Sequence, residues 1–335
     1  MTEYIIKRLL SLIFVVLGMS IMVFTITHAI PADPARLVAG NYASAEVVES
    51  IRERMGLHLP LPAQYLLYMK RLVLEGDLGT SMYSFRPVGE DLKERIPASL
   101  ELAVFSLLLA VPLGLTLGII SATRAGGVAD SGTRFFAIIG VSMPVFWSAL
   151  LLQLIFYGVL EWFPSGGRLS VGLPRPLNIT GLYLLDSILT GNWAVFFDSL
   201  HHIFLPALTL ALGNLAVLTR MTRASVLEVL FQDYVRTARS KGLTERAVLT
   251  RHVLKNAFIP VLTVIGLQMG ALIGWVFIVE VVFSWPGIGS YAVRAIMNFD
   301  FDPIMGFVIF MSFVYVLINL AVDLTYPILD PRIRY

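Results

Sequence analysis

Asp233–Pro260 reads DYVRTARSKGLTERAVLTRHVLKNAFIP, a basic stretch of helical pattern set between two long apolar runs. Upstream lies Ser199–Thr219, and at its end it merges into Asn256–Val279. Neither run contains Asp, Glu or Arg, or any Lys. A helix crossing the hydrocarbon of a bilayer needs about 20 mostly apolar residues, so each flank is long enough to span. The stretch is therefore predicted to be a loop between two membrane helices, and the rest of the chain can be parsed outward from it.

Four further runs are free of charge: Leu9–Ile30, Leu102–Thr123, Phe135–Leu160 and Pro303–Val322. Composition agrees. The chain is 57% hydrophobic and 14% charged, with a mean hydropathy of +0.78; soluble domains average about 45–50% apolar and about 25% charged. Spans of this kind must be helices, because lipid offers an isolated strand no partner for its backbone groups. The predicted fold class is all-α: a polytopic membrane protein with six transmembrane helices. The first run is longer than the roughly 7–15 residues of a secretory apolar core, and no convincing small-x-small cleavage site follows it, so it reads as a retained anchor.

The domain reading has three parts. Residues 1–30 form the N-terminus and first span, 31–98 a helical extracytoplasmic loop, and 99–335 a membrane core with spans two to six. Within that core, residues 220–257 form a cytoplasmic loop. In the long loop, Val47, Ile51 and Met55 repeat after Ser44 with Gly56 as a stop, and Leu66, Met69 and Leu72 form a second stripe ending at Gly76. Two short amphipathic helices are predicted.

Six spans put both termini on one side, and basic residues in short loops tend to stay in the cytoplasm. Arg220, Arg223, Arg236, Arg239, Lys241, Arg246, Arg251 and Lys255 crowd one loop, and Lys7, Arg8, Arg124, Arg134, Arg332 and Arg334 fall on the same side. Opposite them stand Arg168, Arg175 and Arg294. Cytoplasmic termini follow. A seventh apolar segment, Leu177–Phe197, carries Asp186 at its middle. Crossing would bury that charge at a cost of about 2.5–3.5 kcal/mol and invert the later loops, so it reads as an outer amphipathic or re-entrant piece.

With no cysteine, disulfides, thiolate metal sites and cysteine nucleophiles are excluded. The net charge of +2 makes no case for nucleic acid. No catalytic residues converge, and the five histidines are scattered; adjacent His201 and His202 point to different helix faces and make a poor metal site. No G-x-x-x-x-G-K-[ST] loop is present to cradle a nucleotide phosphate.

In the basic stretch, Leu227, Leu230, Tyr234 and Ala238 recur at spacings of three and four, as one apolar helix face does. Gly242 then interrupts, Thr244 can cap a second helix with Glu245 in its first turn, and Val248, Leu249 and Val253 continue towards Pro260. Helix, glycine turn, helix is expected; a bland reading lays such a segment on anionic headgroups.

The segment resembles the E-A-A-x-x-x-G loop of permease subunits of ATP-binding-cassette importers. Thr237 and Ala238 fall at the second and third motif positions, Gly242 at the glycine and Leu254 at the later leucine, while Arg236, His252 and Lys255 depart from it. Those departures look like the dipeptide, oligopeptide and nickel permease branch, with its RTARSKGL followed by RHVLKNAFIP. Along the chain, KRLL, IPADP (Ile30–Pro34), GDLGTSM (Gly76–Met82), RIPASLEL (Arg95–Leu102), SMPVFW (Ser142–Trp147), RMTRASVLEVL (Arg220–Leu230), FSWPGIG (Phe283–Gly289) and DPRIR (Asp330–Arg334) extend the resemblance to the first of that branch's two paired permeases.

The resemblance implies a type I importer permease in a bacterial or archaeal plasma membrane. It implies a second permease, two separate ATPases that hold ATP and Mg, and an extracytoplasmic binding protein as partners, with no cofactor in this chain itself. It makes Arg236, Thr237, Ala238, Arg239, Ser240, Lys241, Gly242 and Leu243 the ATPase-coupling contact, centred on Thr237–Leu243 with basic residues at its rim. It points to a path between paired permeases, with Asn214 and Gln268 as polar groups that could face it. Peptides are the implied cargo, with nickel complexes or glutathione as alternatives; a secondary carrier or channel is the rival of another class.

Gly266, Gly270 and Gly274 form tandem G-x-x-x-G units that suit close helix packing or contact with the partner permease, as Gly114 and Gly118 suit packing. Trp285, Pro286 and Gly287 form a turn that either closes a loop or contacts the binding protein. Glu280 and Asp323, at span edges, are expected to pair structurally.

Overall fold

A computed structural model of the chain describes residues 2–29, 34–40, 43–54 and 56–329. The described residues are helical apart from turns, loops and one isolated β-bridge between Thr80 and Pro87. Five helices are long and apolar enough to cross a membrane, and a bent pair brings the number to six if it counts as one span. The motifs at Ile30–Pro34 and Asp330–Arg334 lie wholly or partly outside the described residues, as do Met55 and the side chain of Asp323.

The chain divides into two compact units, Met1–Pro97 with Gly287–Leu317, and Ala98–Pro286 with Ile318–Tyr335. The segment from Gly287 to Leu317, assigned to the core from sequence, thus groups with the N-terminal part. In this first unit α1 (Thr2–Ala29) is followed by α2 (Pro34–Ala39), α3 (Ala45–Arg54) and α4 (Leu61–Lys70), the last prolonged by a π-helical turn at Arg71–Glu75. The two stop glycines behave as expected: Gly56 has φ +69° and Gly76 φ +66°, the left-handed conformation that glycine adopts without a Cβ clash.

The predicted stripes hold in part: Met69 and Leu72 pack partly buried against the core, while the fully buried positions are their neighbours. Val48 rather than Val47 is buried on α3, and Tyr68, not Leu66, on α4, where it packs with Phe24 of α1 and Met305. A helix this short takes its orientation from what it packs against, and its own period constrains it weakly.

The GDLGTSM motif is held by two carboxylates of the same unit. Asp300 accepts hydrogen bonds from Ser81 Oγ at 2.6 Å, Met82 N at 3.0 Å and Tyr83 N at 3.2 Å, and Asp302 accepts from Thr80 N at 3.1 Å. Below that loop, Val88 and Leu92 at the start of α5 (Val88–Thr123) pack with Ile288 and Tyr291.

The second unit is built around one long helix. After α6 (Val128–Ser142), α7 (Val145–Gln153) and α8 (Tyr183–Leu189) comes α9 (Trp193–Leu230), then α10 (Asp233–Ser240), α11 (Glu245–Ala247) and α12 (Leu254–Val282); α13 (Ile288–Met297) and α14 (Phe301–Leu329) as far as Leu317 return to the first unit. Helices α6, α7, α8 and α12 all pack on α9. Small residues make the approach close. A Cβ on Gly114 would stand 2.8 Å from Leu218 Cβ, one on Gly118 2.5 Å from Thr222 Cβ, and one on Gly140 3.0 Å from Ala216 Cβ. The Gly114 and Gly118 pair therefore serves packing inside this chain.

The third predicted span is not one straight helix. α6 stops at Ser142, Met143 is extended with φ −85° and ψ 123°, and α7 leaves at 107°. Pro144 explains the break, since proline pushes its preceding residue out of the helical region and cannot donate to the turn before it.

Leu177–Phe197 does not cross as a seventh span; it holds α8, a turn at Gly191 and the first residues of α9. Asp186 is fully buried yet satisfied, accepting from Thr180 N at 2.9 Å, Thr180 Oγ1 at 2.7 Å and Gly181 N at 2.9 Å. The preceding loop is pinned by Arg168, which pairs with buried Glu101, donates to Gly181 O at 3.0 Å and lies 3.6 Å over the Tyr183 ring.

Candidate functional site: a helix, glycine turn, helix loop

α9 ends at Leu230, and Phe231 and Gln232 separate it from α10. That break leaves the apolar face predicted across Leu227 to Ala238 incomplete: Leu227, Leu230 and Ala238 pack on one cluster, but Tyr234 turns away. The buried set is Val226, Val235, Ala238, Val248, Val253 and Ala257, which form one cluster with Ala122, while Tyr234 is 42% exposed. The cluster turns the apolar side of α10 towards its own chain. Ala238, assigned to the coupling contact from sequence, is 5% exposed and faces inward.

What α10 presents outward is Arg236, Thr237, Arg239 and Ser240, followed by exposed Lys241, Gly242 and Leu243, with Phe231 at 81% exposure and Tyr234 beside them. The outward surface is therefore basic and hydroxylic with aromatic and leucine edges; the apolar face of the helix is turned inside.

The turn is built as its residues require. Gly242 has φ +78° with nothing within 4 Å of a hypothetical Cβ, so conformation rather than space asks for glycine. Thr244 caps the next helix, its Oγ1 accepting from Ala247 N at 3.4 Å. Arg239 spans the turn through two contacts to Glu245, Nε to Oε1 at 2.9 Å and a second nitrogen to Oε2 at 3.3 Å. Asn256 Nδ2 donates to the Tyr234 hydroxyl at 2.8 Å and ties α12 to α10. A π-helical turn, Val248–Val253, joins α11 to α12 and keeps Val248 and Val253 facing the cluster.

A second anchor lies nearby and was not foreseen. Asp130, 2% exposed, accepts from Ser121 Oγ at 2.6 Å, Gly126 N at 2.9 Å, and Arg223 Nε at 2.7 Å with a further Arg223 nitrogen at 2.9 Å. It clamps the α5–α6 turn to α9 just above the loop, in the two-pronged geometry that matches guanidinium to carboxylate. Only the residue types hinted at it; partners this far apart in sequence carry no periodic signal.

Asn214 and Gln268 are brought together. Gln268 Nε2 donates to Asn214 Oδ1 at 2.8 Å, and Asn214 Nδ2 to Leu210 O at 3.1 Å. Both amides are thus engaged in joining α12 to α9. Of the tandem glycines, Gly270 is buried with Asn319 Oδ1 at 3.8 Å from a hypothetical Cβ, whereas Gly274 is exposed with open space beside it, and Gly266 is half-buried.

Trp285 is 1% exposed, its Nε1 donating to Ala98 O at 2.9 Å, so its indole is an internal anchor and is unavailable to a docking protein. Pro286 beside it is exposed and Gly287 is buried. Glu280, expected at an edge where burial is avoidable, is fully buried and accepts from Ser99 Oγ. His201 Nε2 meets Trp162 O at 2.5 Å and His202 Nδ1 meets Asp198 O at 2.9 Å, with the two rings at 86°. Among the described residues no group of three or more His, Asp or Glu is placed to hold a metal.

Sequence similarity to known proteins runs along the whole chain. A probable D,D-dipeptide transport system permease protein of Escherichia coli (strain K12) is 47% identical over 98% of this chain and 96% of its own length. A dipeptide transport system permease protein of Alkalihalophilus pseudofirmus is 43% identical over 100% of both chains. A solved structure described as an amino acid ABC transporter with histidines superposes with a TM-score of 0.50 at 13% identity, over 71% of this chain and 94% of that one, a likeness of fold. Residues 1–103 match the N-terminal family of binding-protein-dependent transport system membrane components, and residues 114–335 match the inner membrane component family itself. The chain belongs to the family of binding-protein-dependent transport system inner membrane components, as a multi-pass permease subunit.

Proposed function

We propose that the chain is one of two paired permeases that carry di- or oligopeptides inward, receiving them from an extracytoplasmic binding protein and moving them at the expense of ATP hydrolysed with Mg by two other subunits. The observation that carries this reading is the loop of α10 and α11: a short helix ended by left-handed Gly242, fastened through its apolar side to α9 and α12, with its basic side exposed. A rigid element so fastened can pass a push from a docked protein into both long helices, which a loop lying loosely on headgroups could not do. Arg236, Thr237, Ser240, Lys241 and Leu243 form the docking face, with Phe231 and Tyr234 as its apolar edge. Ala238 and Val235 act behind it, as the packing that transmits the movement.

The basic loop faces the cytoplasm, as do both termini. Peptides are favoured as cargo by the relatives at 47% and 43% identity, themselves described as dipeptide transport permeases. Reconstitution with the paired permease, the ATPases and the binding protein tests the proposal. Labelled dipeptide should enter proteoliposomes only with ATP and Mg present. Entry without nucleotide would point to a secondary carrier, and entry of glutathione or a nickel complex in place of dipeptide would replace the cargo.

A further inference from the structure

The sequence places residues 31–98 outside the membrane as one loop, yet the structure docks α4 against two apolar spans well inside their ends. The Tyr65 hydroxyl meets Ser20 Oγ of α1 at 2.8 Å, and the Tyr65 and Phe24 rings pack edge to face with centroids 5.3 Å apart. Tyr68, Met69 and Leu72 continue that face against Phe24 and against Met305 and Ile309 of α14. All of these residues belong to the first unit.

The helix rise gives the depth. The apolar run of α1 is Leu10–Ala29, so Ser20 lies about 15 Å along it and Phe24 about 21 Å, against about 30 Å of hydrocarbon. Tilting a span places more of it inside the hydrocarbon, never less. On α14, Met305 and Ile309 lie about 6 Å and about 12 Å from Phe301, where that apolar run begins. The two helices agree in setting the packed face of α4 within the half of the bilayer remote from Lys7 and Arg8.

The other face of this helix is open and apolar. Leu66, Val73 and Leu74 are 67%, 70% and 72% exposed, as Phe14 and Met22 are exposed on the outward side of α1. At that depth the medium beside them is hydrocarbon, and a cluster of large apolar side chains in water would be unfavourable. Lys70, between them on the same stripe, has a stem long enough to follow the apolar surface and bring its ammonium to the phosphates. The backbone is bonded within the helix, as hydrocarbon demands, and Gln64 Nε2 donates to Leu57 O at 3.3 Å and Leu59 O at 2.8 Å where the chain enters. By contrast α3 carries Glu46, Glu49, Arg52 and Glu53 and suits water. We infer that residues 61–75 are a membrane-embedded anchor in the leaflet remote from Lys7 and Arg8, with the side chains of Leu66, Val73 and Leu74 among phospholipid acyl chains. The anchor depends neither on the cargo nor on the ATPase contact.

Because the chain has no cysteine, a single spin label can be placed at any chosen position. The full chain in phospholipid nanodiscs is labelled at Leu66→Cys and Leu74→Cys, with Phe14→Cys on α1 and Val47→Cys on α3 as references, all exposed positions that leave the packed faces intact. Electron paramagnetic resonance then compares collisions with oxygen, which concentrates in hydrocarbon, and with a neutral nickel chelate, which stays in water. Labels at Leu66 and Leu74 should match the one at Phe14, oxygen being severalfold the more effective, whereas the label at Val47 should show the reverse. Nanodiscs excised from native membranes, with the natural partners of the chain present, should give the same pattern. A nickel chelate more effective than oxygen at Leu66 and Leu74 would overturn the inference by putting that face in water. Protection from both reagents would overturn it as well, assigning the face to a second copy if seen with the purified chain and to another subunit if seen only in native discs.

Discussion

Trp285 illustrates how far a residue's surroundings outrank its motif. In sequence it sits in a turn-forming SWPGIGS that invites an external contact, yet its ring is buried and its Nε1 holds the Ala98 carbonyl. Trp285→Phe should therefore lower stability by about 1–3 kcal/mol through a carbonyl left unpaired, visible as a lower unfolding temperature of the purified chain with no binding protein present. The glycines make a second contrast. Gly118→Ala drives a Cβ to 2.5 Å from Thr222 Cβ and should cost about 1–3 kcal/mol, while Gly274→Ala meets nothing within 4 Å and should leave the unfolding temperature unchanged or slightly raised. If both substitutions behaved alike, the packing of α5 on α9 would be wrong.

At the scale of elements, the α10–α11 loop depends on one backbone conformation and two clamps. Gly242→Val places a β-branched residue at φ +78° at a cost of about 1–2 kcal/mol, local to the turn. ATP-driven uptake should fall severalfold while the purified chain stays helical by circular dichroism; full uptake with valine present would remove the turn from the coupling path. Asp130→Asn weakens the grip of the α5–α6 turn on α9. With Arg223 partly exposed, the loss is discounted to about 1–2 kcal/mol, and protease cleavage should become faster at residues 123–127. Thr244, Gly242, Gly56 and Gly76 were legible in sequence because caps and left-handed stops are local rules. The break at Phe231–Gln232 was not, because the apolar spacing runs on unbroken through it.

For the whole molecule, the absence of cysteine makes orientation directly testable. Lys241→Cys gives a single thiol on an exposed residue. It should react with an impermeant maleimide only in inside-out vesicles or after permeabilisation, whereas labelling of intact cells would invert the topology and remove the proposed ATPase contact. The number of spans, the all-helical class and the basic loop could be read from charge-free runs alone, because the bilayer demands length and apolarity of every crossing helix.

The sequence by itself determined where the long apolar helices lie, that Leu177–Phe197 is not one more of them, and that a glycine turn separates two short helices. Tertiary structure alone decided the 107° bend at Met143–Pro144, the inward face of α10, the burial of Trp285 and Glu280, and the meeting of Asn214 with Gln268 and of Asp130 with Arg223. The physical reason is range. Hydrophobic length, caps and turns are properties of neighbouring residues, while the face a helix buries and the partner a polar group finds depend on which other helix arrives beside it.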